Sequence, residues 1–374
     1  MKILMMVTWY TPMGYDKLEA GVFHYEQSLS LKQYCDVAIY YPFDTDITED
    51  ETCQEEWGIQ TYRSRNAGNI IKLRKQIMKT MGHIVKEFKP DIIHAHCGGV
   101  AGFFAVDAGK KYSVPVVITE HAPVEMTHVD KLSVRHFITK RAYKNSRANI
   151  CVSTDLKNKL SVIYPKYKFE VINNGIIIPD YDEEKGSYYR DGFLNIVIVA
   201  VLYDLEVKGL KYLLGAIKLL KEQGKKVVLH HIGAGEYLEH FMELAQKLDI
   251  EDLCVFHGRC ERKKLYEIVN EMDFFVSSSL VESGGVAACE AMLLGKPVLG
   301  TNSGGVDSLV PKEAGHIVLK GSEQALADGI VYMEEHLKDF DEEWIKKYAY
   351  DSFEIDNISK KYMQLYENVL QEEK

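Results

Sequence analysis

The sequence predicts an α/β protein made of two Rossmann-like units in succession. Short β-branched and apolar runs alternate along the chain with longer segments of helical period. Glycine-containing loops join several runs to the helices after them, the order of a parallel doubly wound sheet. The polar, Gly- and Pro-punctuated stretch 179–193 separates one such series from the next. A length of 374 residues suits two domains, taking about 100–200 residues for each. An apolar fraction of 46% is enough to give both a core.

Residues 2–9 read as a buried first strand rather than a signal peptide, since MKILMMVTWYTP has no small-residue cleavage site. The loop 14–21 leads into the helical VFHYEQSLSL; Gly21 at its end either brings backbone amides to a phosphate or makes a tight turn. Residues 37–41 form a second strand. Segment 44–56 then holds seven carboxylates and no basic residue. Within it Asp44-Thr45-Asp46 has the D-x-D form of some metal sites, a pair expected by chance in so acidic a stretch. In 70–88, Ile70, Leu73, Ile77, Met81, Ile84 and Phe88 share a helical face ringed by Lys72, Arg74, Lys75, Lys79, Lys86 and Lys89. Such a helix either covers the sheet with a solvated basic face or lies on a membrane. The next strand ends at His94–His96 before Gly98, and strand 114–119 ends in Glu120-His121-Ala122-Pro123. Ligands bind at the carboxyl ends of strands in doubly wound sheets, which puts His96 and His121 at a cleft, although a lone histidine is more often structural. Short strands at 148–153 and 170–172 and the turn 171–175 complete the first series.

The second series opens with strand 194–202, a loop holding Lys208-Gly209, and helix 210–223. A lysine where a loop meets a helix can neutralise a diphosphate. Gly233-Ala234-Gly235 after strand 227–232 lacks the third glycine and the following acid of a dinucleotide fingerprint. Strand 254–258 precedes Arg259, and 273–278 leads into SSSLVESGGVAACEAMLLGKPVLGTNSGGVDSLV at 277–310. There Glu282 precedes Gly284-Gly285, and Glu290 lies about one turn into the helix behind them. A helix start behind glycines exposes unpaired N–H groups that suit an anion or a sugar hydroxyl, and a carboxylate accepts hydrogen bonds from vicinal hydroxyls. Read plainly, both are exposed acids near a helix start, where Glu is favoured anyway. Helices are expected at 322–336 and 342–349. The last, 353–370, groups Ile355, Ile358, Tyr362, Leu365, Tyr366 and Val369 on one face.

Residues 277–310 resemble the signature of the retaining family 4 glycosyltransferases of GT-B fold. The matching residues are Ser279, Glu282, Ser283, Gly285, Glu290, Ala291, Met292, Gly295, Pro297 and Val298, then Ser303, Gly304 and Gly305. The resemblance implies two Rossmann-like domains facing each other across a cleft. The acceptor-side domain would be 1–180 with 350–374, and the nucleotide-sugar domain 181–349. It implies transfer of a sugar from a nucleoside diphosphate sugar, UDP- or GDP-linked, to a hydroxyl acceptor, with retention, no metal and no other cofactor. Catalytic roles fall to His121, Glu282 and Lys208. In this scheme Glu290 holds the ribose, while Glu282 with Ser283, Gly284, Gly285 and Val286 holds the sugar. Lys208 and Gly209 take the diphosphate, Arg259 lies near the nucleobase, and Gly21, His96 and His121 complete the donor site. The sequence departs from the pattern at Gly284, where an aromatic is usual, at Ser308, often Glu, and at Ala200-Val201, usually Gly-Arg. A nucleotide-sugar epimerase of the same fold and a non-catalytic GT-B subunit stay open.

Seven scattered cysteines without C-x-x-C pairing read as reduced thiols, and the histidines show no metal-site spacing. No apolar run reaches the roughly 18 residues of a membrane span, so a cytoplasmic protein is expected. The net charge of −10 is uneven: residues 1–180 carry 23 Lys and Arg against 20 Asp and Glu, the remainder 22 against 35. The basic first half points to an anionic membrane surface and a lipid-linked acceptor, with soluble acceptors open and no nucleic acid expected.

Overall fold

The computed structural model describes residues 1–11, 21–66, 68–127, 133–181 and 188–372. Two compact units divide the chain, Met1–Gly175 with Glu354–Lys374, and Ile176–Phe353. Sequence reading placed these divisions at 180/181 and 349/350. Ile176 belongs with the second unit because its N–H donates to the Phe353 carbonyl (2.9 Å) and its side chain is buried in that unit's core. Loop residues 14–20 and linker residues 182–187 lie outside the described residues.

The first unit runs β1 (Lys2–Met6), α1 (Val22–Leu31), β2 (Asp36–Asp44), β3 (Glu51–Glu56), β4 (Ile59–Arg65), α2 (Ile70–Glu87), β5 (Ile92–His96), α3 (Val100–Tyr112), β6 (Val116–Glu120), α4 (Val124–Thr127), α5 (Val134–Asn145), β7 (Ala148–Cys151), α6 (Thr154–Ile163) and β8 (Glu170–Val171). Its sheet has the order β3-β4-β2-β1-β5-β6-β7-β8, parallel except for β3 against β4. Side chains of β1 alternate: Leu4 and Met6 join Leu73, Ile77 and Phe104 in one core, and Ile3 and Met5 face the other. Burial on both faces makes such a strand apolar throughout.

Segment 44–56 runs from the last residue of β2 through a turn into β3. Arg63 on β4, fully buried, bonds Asp44 through Nη1 (2.6 Å) and Glu56 through Nε (2.8 Å) and Nη2 (2.6 Å). A buried guanidinium needs that many acceptors, so Asp44 is already committed. Asn69 caps α2 by accepting from the Lys72 N–H, and the helix buries Leu73, Ile77, Met81 and Ile84 on the sheet. At its start Ile70 and Ile71 are left 56% and 80% exposed.

The second unit runs β9 (Leu194–Val199), α7 (Leu210–Glu222), β10 (Val227–Ile232), α8 (Leu238–Lys247), β11 (Cys254–Phe256), α9 (Arg262–Glu271), β12 (Phe274–Ser277), α10 (Val286–Leu293), β13 (Val298–Thr301), α11 (Gly305–Leu309), β14 (Gly315–Val318), α12 (Glu323–His336) and α13 (Glu342–Phe353). Its strands are all parallel, in the order β11-β10-β9-β12-β13-β14. The Gly233-Ala234-Gly235 run extends β10 along the segment after β9: Leu202 N–H donates to the Ala234 carbonyl, and a Cβ at either glycine would overlap the Ala200 or Leu202 carbonyl. These glycines serve backbone approach rather than a dinucleotide.

The last helix, α14 (Ile355–Gln371), belongs to the first unit. It packs Ile358, Tyr362, Tyr366 and Val369 with Ile3, Met5 and Ile39. Among the described residues no helix is long and apolar enough to cross a membrane.

Candidate functional site

In the second unit the strand order reverses between β9 and β12, and the loops leaving these two strands diverge there, the usual ligand position in open α/β sheets. The β9 loop carries Lys208 and Gly209; the β12 loop carries 278–285. Two bonds tie them together: Ser278 Oγ donates to the Lys208 carbonyl (2.8 Å) and Leu280 N–H to the Val207 carbonyl (2.8 Å). Gly209 starts α7 with φ 61°, and a Cβ there would overlap the Ser278 carbonyl oxygen. The consequence is an ion pair, Lys208 Nζ to Glu282 Oε2 at 2.8 Å.

Glu282 is fixed through its backbone, which donates to the Ser303 carbonyl (3.1 Å) and accepts from Gly305 N–H (2.8 Å). Gly285, at φ 49°, starts α10 without a side-chain cap, and the first N–H groups of a helix find no partner within it. Ser283 and Gly284 are buried behind it and Val286 is exposed. Ser308, where the family pattern often has Glu, donates to the Gly305 carbonyl within its own helix.

Glu290 projects from α10 with its side chain 16% exposed. Tyr266, buried on α9, donates its hydroxyl to Glu290 Oε1 (2.7 Å), and Arg262 Nη2 donates to the Tyr266 oxygen (2.8 Å) and to the Ile177 carbonyl (2.8 Å). Burial raises the Glu290 carboxyl above its ordinary range, while the Tyr266 hydroxyl and the Arg262 charge pull it back. Sequence reasoning overlooked Arg262 and Tyr266. Their four-residue spacing, which sets both on one helix face, was the available signal. Arg259, expected near the nucleobase, lies exposed on the loop between β11 and α9. Val201 is 48% exposed and apolar where the family pattern has Arg.

The first unit gathers a separate cluster at the carboxyl ends of β5 and β6. His96 Nδ1 and His121 Nε2 share a hydrogen bond of 2.9 Å, and their ring planes lie within 16° of each other. His24, from α1, meets His96 edge-on at 4.4 Å. Gly21 starts α1 with φ 70°, and a Cβ there would lie 2.8 Å from the Trp9 carbonyl oxygen. Glu120 fixes the loop carrying His121 by accepting from Gly98, His121 and Ala122 N–H and from the Tyr143 hydroxyl. Burial lowers His121 to about 4, so it is a neutral imidazole near pH 7. His96 is fully buried and stands behind His121 rather than at a surface.

Two family models match the chain, Glycosyltransferase Family 4 over residues 29–179 and Glycosyl transferases group 1 over residues 193–350. The chain belongs to this glycosyltransferase family. A glycosyltransferase of Methanocaldococcus jannaschii is 25% identical to it over 83% of this chain and 84% of that protein. The alpha-monoglucosyldiacylglycerol synthase of Streptococcus pneumoniae is 25% identical over 61% of this chain, and the match spans 55% of that enzyme's length. Matches to further curated relatives span 41–65% of their lengths. Among solved structures, Anabaena HepE in complex with UDP superimposes with a TM-score of 0.77 at 17% identity, over 98% of this glycosyltransferase and 100% of HepE. The fold is GT-B.

Proposed function

We propose that this glycosyltransferase moves a sugar from a UDP- or GDP-linked donor to a hydroxyl acceptor, with retention of anomeric configuration and without a metal, in cell-surface polysaccharide or glycolipid assembly. The observation that carries the reading is the 2.8 Å Lys208–Glu282 pair at the switch point, with the starts of α7 and α10 beside it. As donor binds, Lys208 turns from Glu282 to the diphosphate, and the released carboxylate accepts from sugar hydroxyls. Glu290 accepts from the ribose hydroxyls. The bond from the anomeric carbon to the diphosphate oxygen breaks, and a bond to the acceptor oxygen forms on the same face. The acceptor proton passes to the departing phosphate, whose charge Lys208 and the helix N–H groups stabilise. No other cofactor enters this scheme. His121, neutral, contributes as a hydrogen-bonding group and not as an acid.

The relatives support the donor and acceptor classes: HepE was solved with UDP-glucose and with UDP and glucose, and one relative makes a glucosyl lipid. Membrane contact at the cytoplasmic face fits the first unit. There the exposed Ile70 and Ile71 of α2 and Val134 and Phe137 of α5 (79% and 65% exposed) stand among Lys72, Lys75, Arg135 and Lys140.

The test is nucleotide release from a panel of UDP-, GDP- and ADP-sugars in EDTA, comparing the parent with Glu290→Ala. Release from one donor, lost in the variant, is expected. Donor rearranged without acceptor would instead identify an epimerase. No nucleotide bound at all would leave the binding-subunit reading that the apolar Val201 favours.

A further inference from the structure

The geometry points to Tyr266 and Arg262 as positioning residues that aim Glu290 at the nucleotide ribose and so set the preference for ribo- over 2′-deoxynucleotides. This rests on the reading of Glu290 as the ribose acid. A carboxylate can only accept, so the proton between Tyr266 and Glu290 belongs to the tyrosine. Arg262 in turn can only donate, so the Tyr266 oxygen receives the guanidinium N–H. The chain therefore has one direction, Arg262 to Tyr266 to Glu290 Oε1, with contacts of 2.8 and 2.7 Å.

Both supporting residues are themselves held. Tyr266 is 1% exposed, within the core that α9 and α10 share. Arg262 lies over the Tyr266 ring at 5.6 Å and is anchored on the Ile177 carbonyl, so the start of this unit braces the guanidinium. One oxygen of Glu290 is thus fixed from behind. The other, Oε2, has no protein hydrogen-bond partner among the described residues. A carboxylate pinned at one oxygen presents the second in a fixed direction. Donors in vicinal positions, such as the two ribose hydroxyls, are the ligand class that gains most from it. A site built to hydrogen-bond a hydroxyl discriminates strongly against the analogue lacking it. Without the Tyr266 hydroxyl only the longer Arg262 ion pair (3.6 Å) holds Glu290 Oε1, and the discrimination weakens before other contacts do.

The experiment measures dissociation constants by calorimetry for whichever of UDP, GDP and ADP the full-length parent binds tightest, and for its 2′-deoxy counterpart. The same pair is measured with Glu290→Gln, Tyr266→Phe and Arg262→Gln. A parental ribo preference of about tenfold or more is expected, largely lost in Glu290→Gln and reduced at least about threefold in Tyr266→Phe, with a smaller reduction in Arg262→Gln. General loosening of the unit weakens both ligands alike and leaves the ratio in place. Arg262→Gln, at a partly exposed position, serves if Tyr266→Phe does not fold. A ratio lost in Glu290→Gln but unchanged in both other variants overturns this inference alone. A ratio unchanged in Glu290→Gln, or a parent that binds no nucleotide, overturns the ribose reading and this inference with it.

Discussion

Lys208 has one partner in the free protein and another in the proposed reaction, so its removal acts on the departing phosphate more than on the fold. Lys208→Met is expected to lower kcat by about 10²-fold or more, as loss of a charge stabiliser does, read as nucleotide release at saturating donor. Gly209, next to it, is a backbone requirement. With φ 61° and the Ser278 carbonyl where a Cβ would go, Gly209→Ala is expected to cost at least about 2 kcal/mol. A lowered urea midpoint would show this; an unchanged one would mean that the two loops can separate freely. Gly209 stood out in the sequence because it follows the lysine at a helix start. Its neighbour Ser278 was not legible, being 69 positions away.

At the scale of elements, α2 and α14 show how far periodicity reaches. The apolar stripe of α2 is plain in the sequence, but its division is not: Leu73, Ile77, Met81 and Ile84 go to the core while Ile70 and Ile71 stay outside. An Ile71→Glu, Lys75→Glu double variant should leave stability nearly unchanged. It should weaken sedimentation with phosphatidylglycerol vesicles, since each basic residue near an anionic surface contributes about 1 kcal/mol; equal binding by parent and variant would remove α2 from the membrane reading. The stripe of α14 is buried throughout, and Tyr366 also shares a 2.7 Å hydrogen bond with His94 Nδ1. Tyr366→Ala is therefore expected to cost about 3–5 kcal/mol, the range for large core aromatics, measured by urea unfolding. The β3 hairpin strand, ETCQEE, was missed because three of its six residues are glutamates, which strands disfavour, and only Thr52 is β-branched. Its pairing with β4 and the need of Arg63 for acceptors impose the strand.

Over the whole molecule, buried imidazoles tie stability to pH. Burial holds His24 and His96 well below the ordinary value, His94 at about 3, and His121, His230 and His231 at about 4. The unfolded chain binds protons at these groups from about pH 6.5 downward, whereas the folded chain does not. Their contribution is thus complete above about pH 7 and is lost as pH falls toward 4, by about 1.4 kcal/mol per pH unit for each histidine. The urea midpoint should drop steeply between pH 7 and 5. His24→Phe should flatten that drop, because neither ring nitrogen of His24 has a partner among the described residues; a slope unchanged in the variant would mean that His24 takes up its proton while folded.

The sequence by itself determined the two α/β series, the stretch 277–310 with its paired glutamates, the glycines at helix starts and the final amphipathic helix. Period, turn chemistry and close backbone approach are local properties, written in neighbouring residues. Only the tertiary structure decided that Lys208 meets Glu282, that Arg262 reaches Glu290 through Tyr266, that His96 stands behind His121, and that Asp44 serves Arg63. Each of these joins residues on different elements. Which elements become neighbours follows from strand order, and strand order is fixed by burial across the whole sheet, a sum over many side chains that no single stretch of sequence contains.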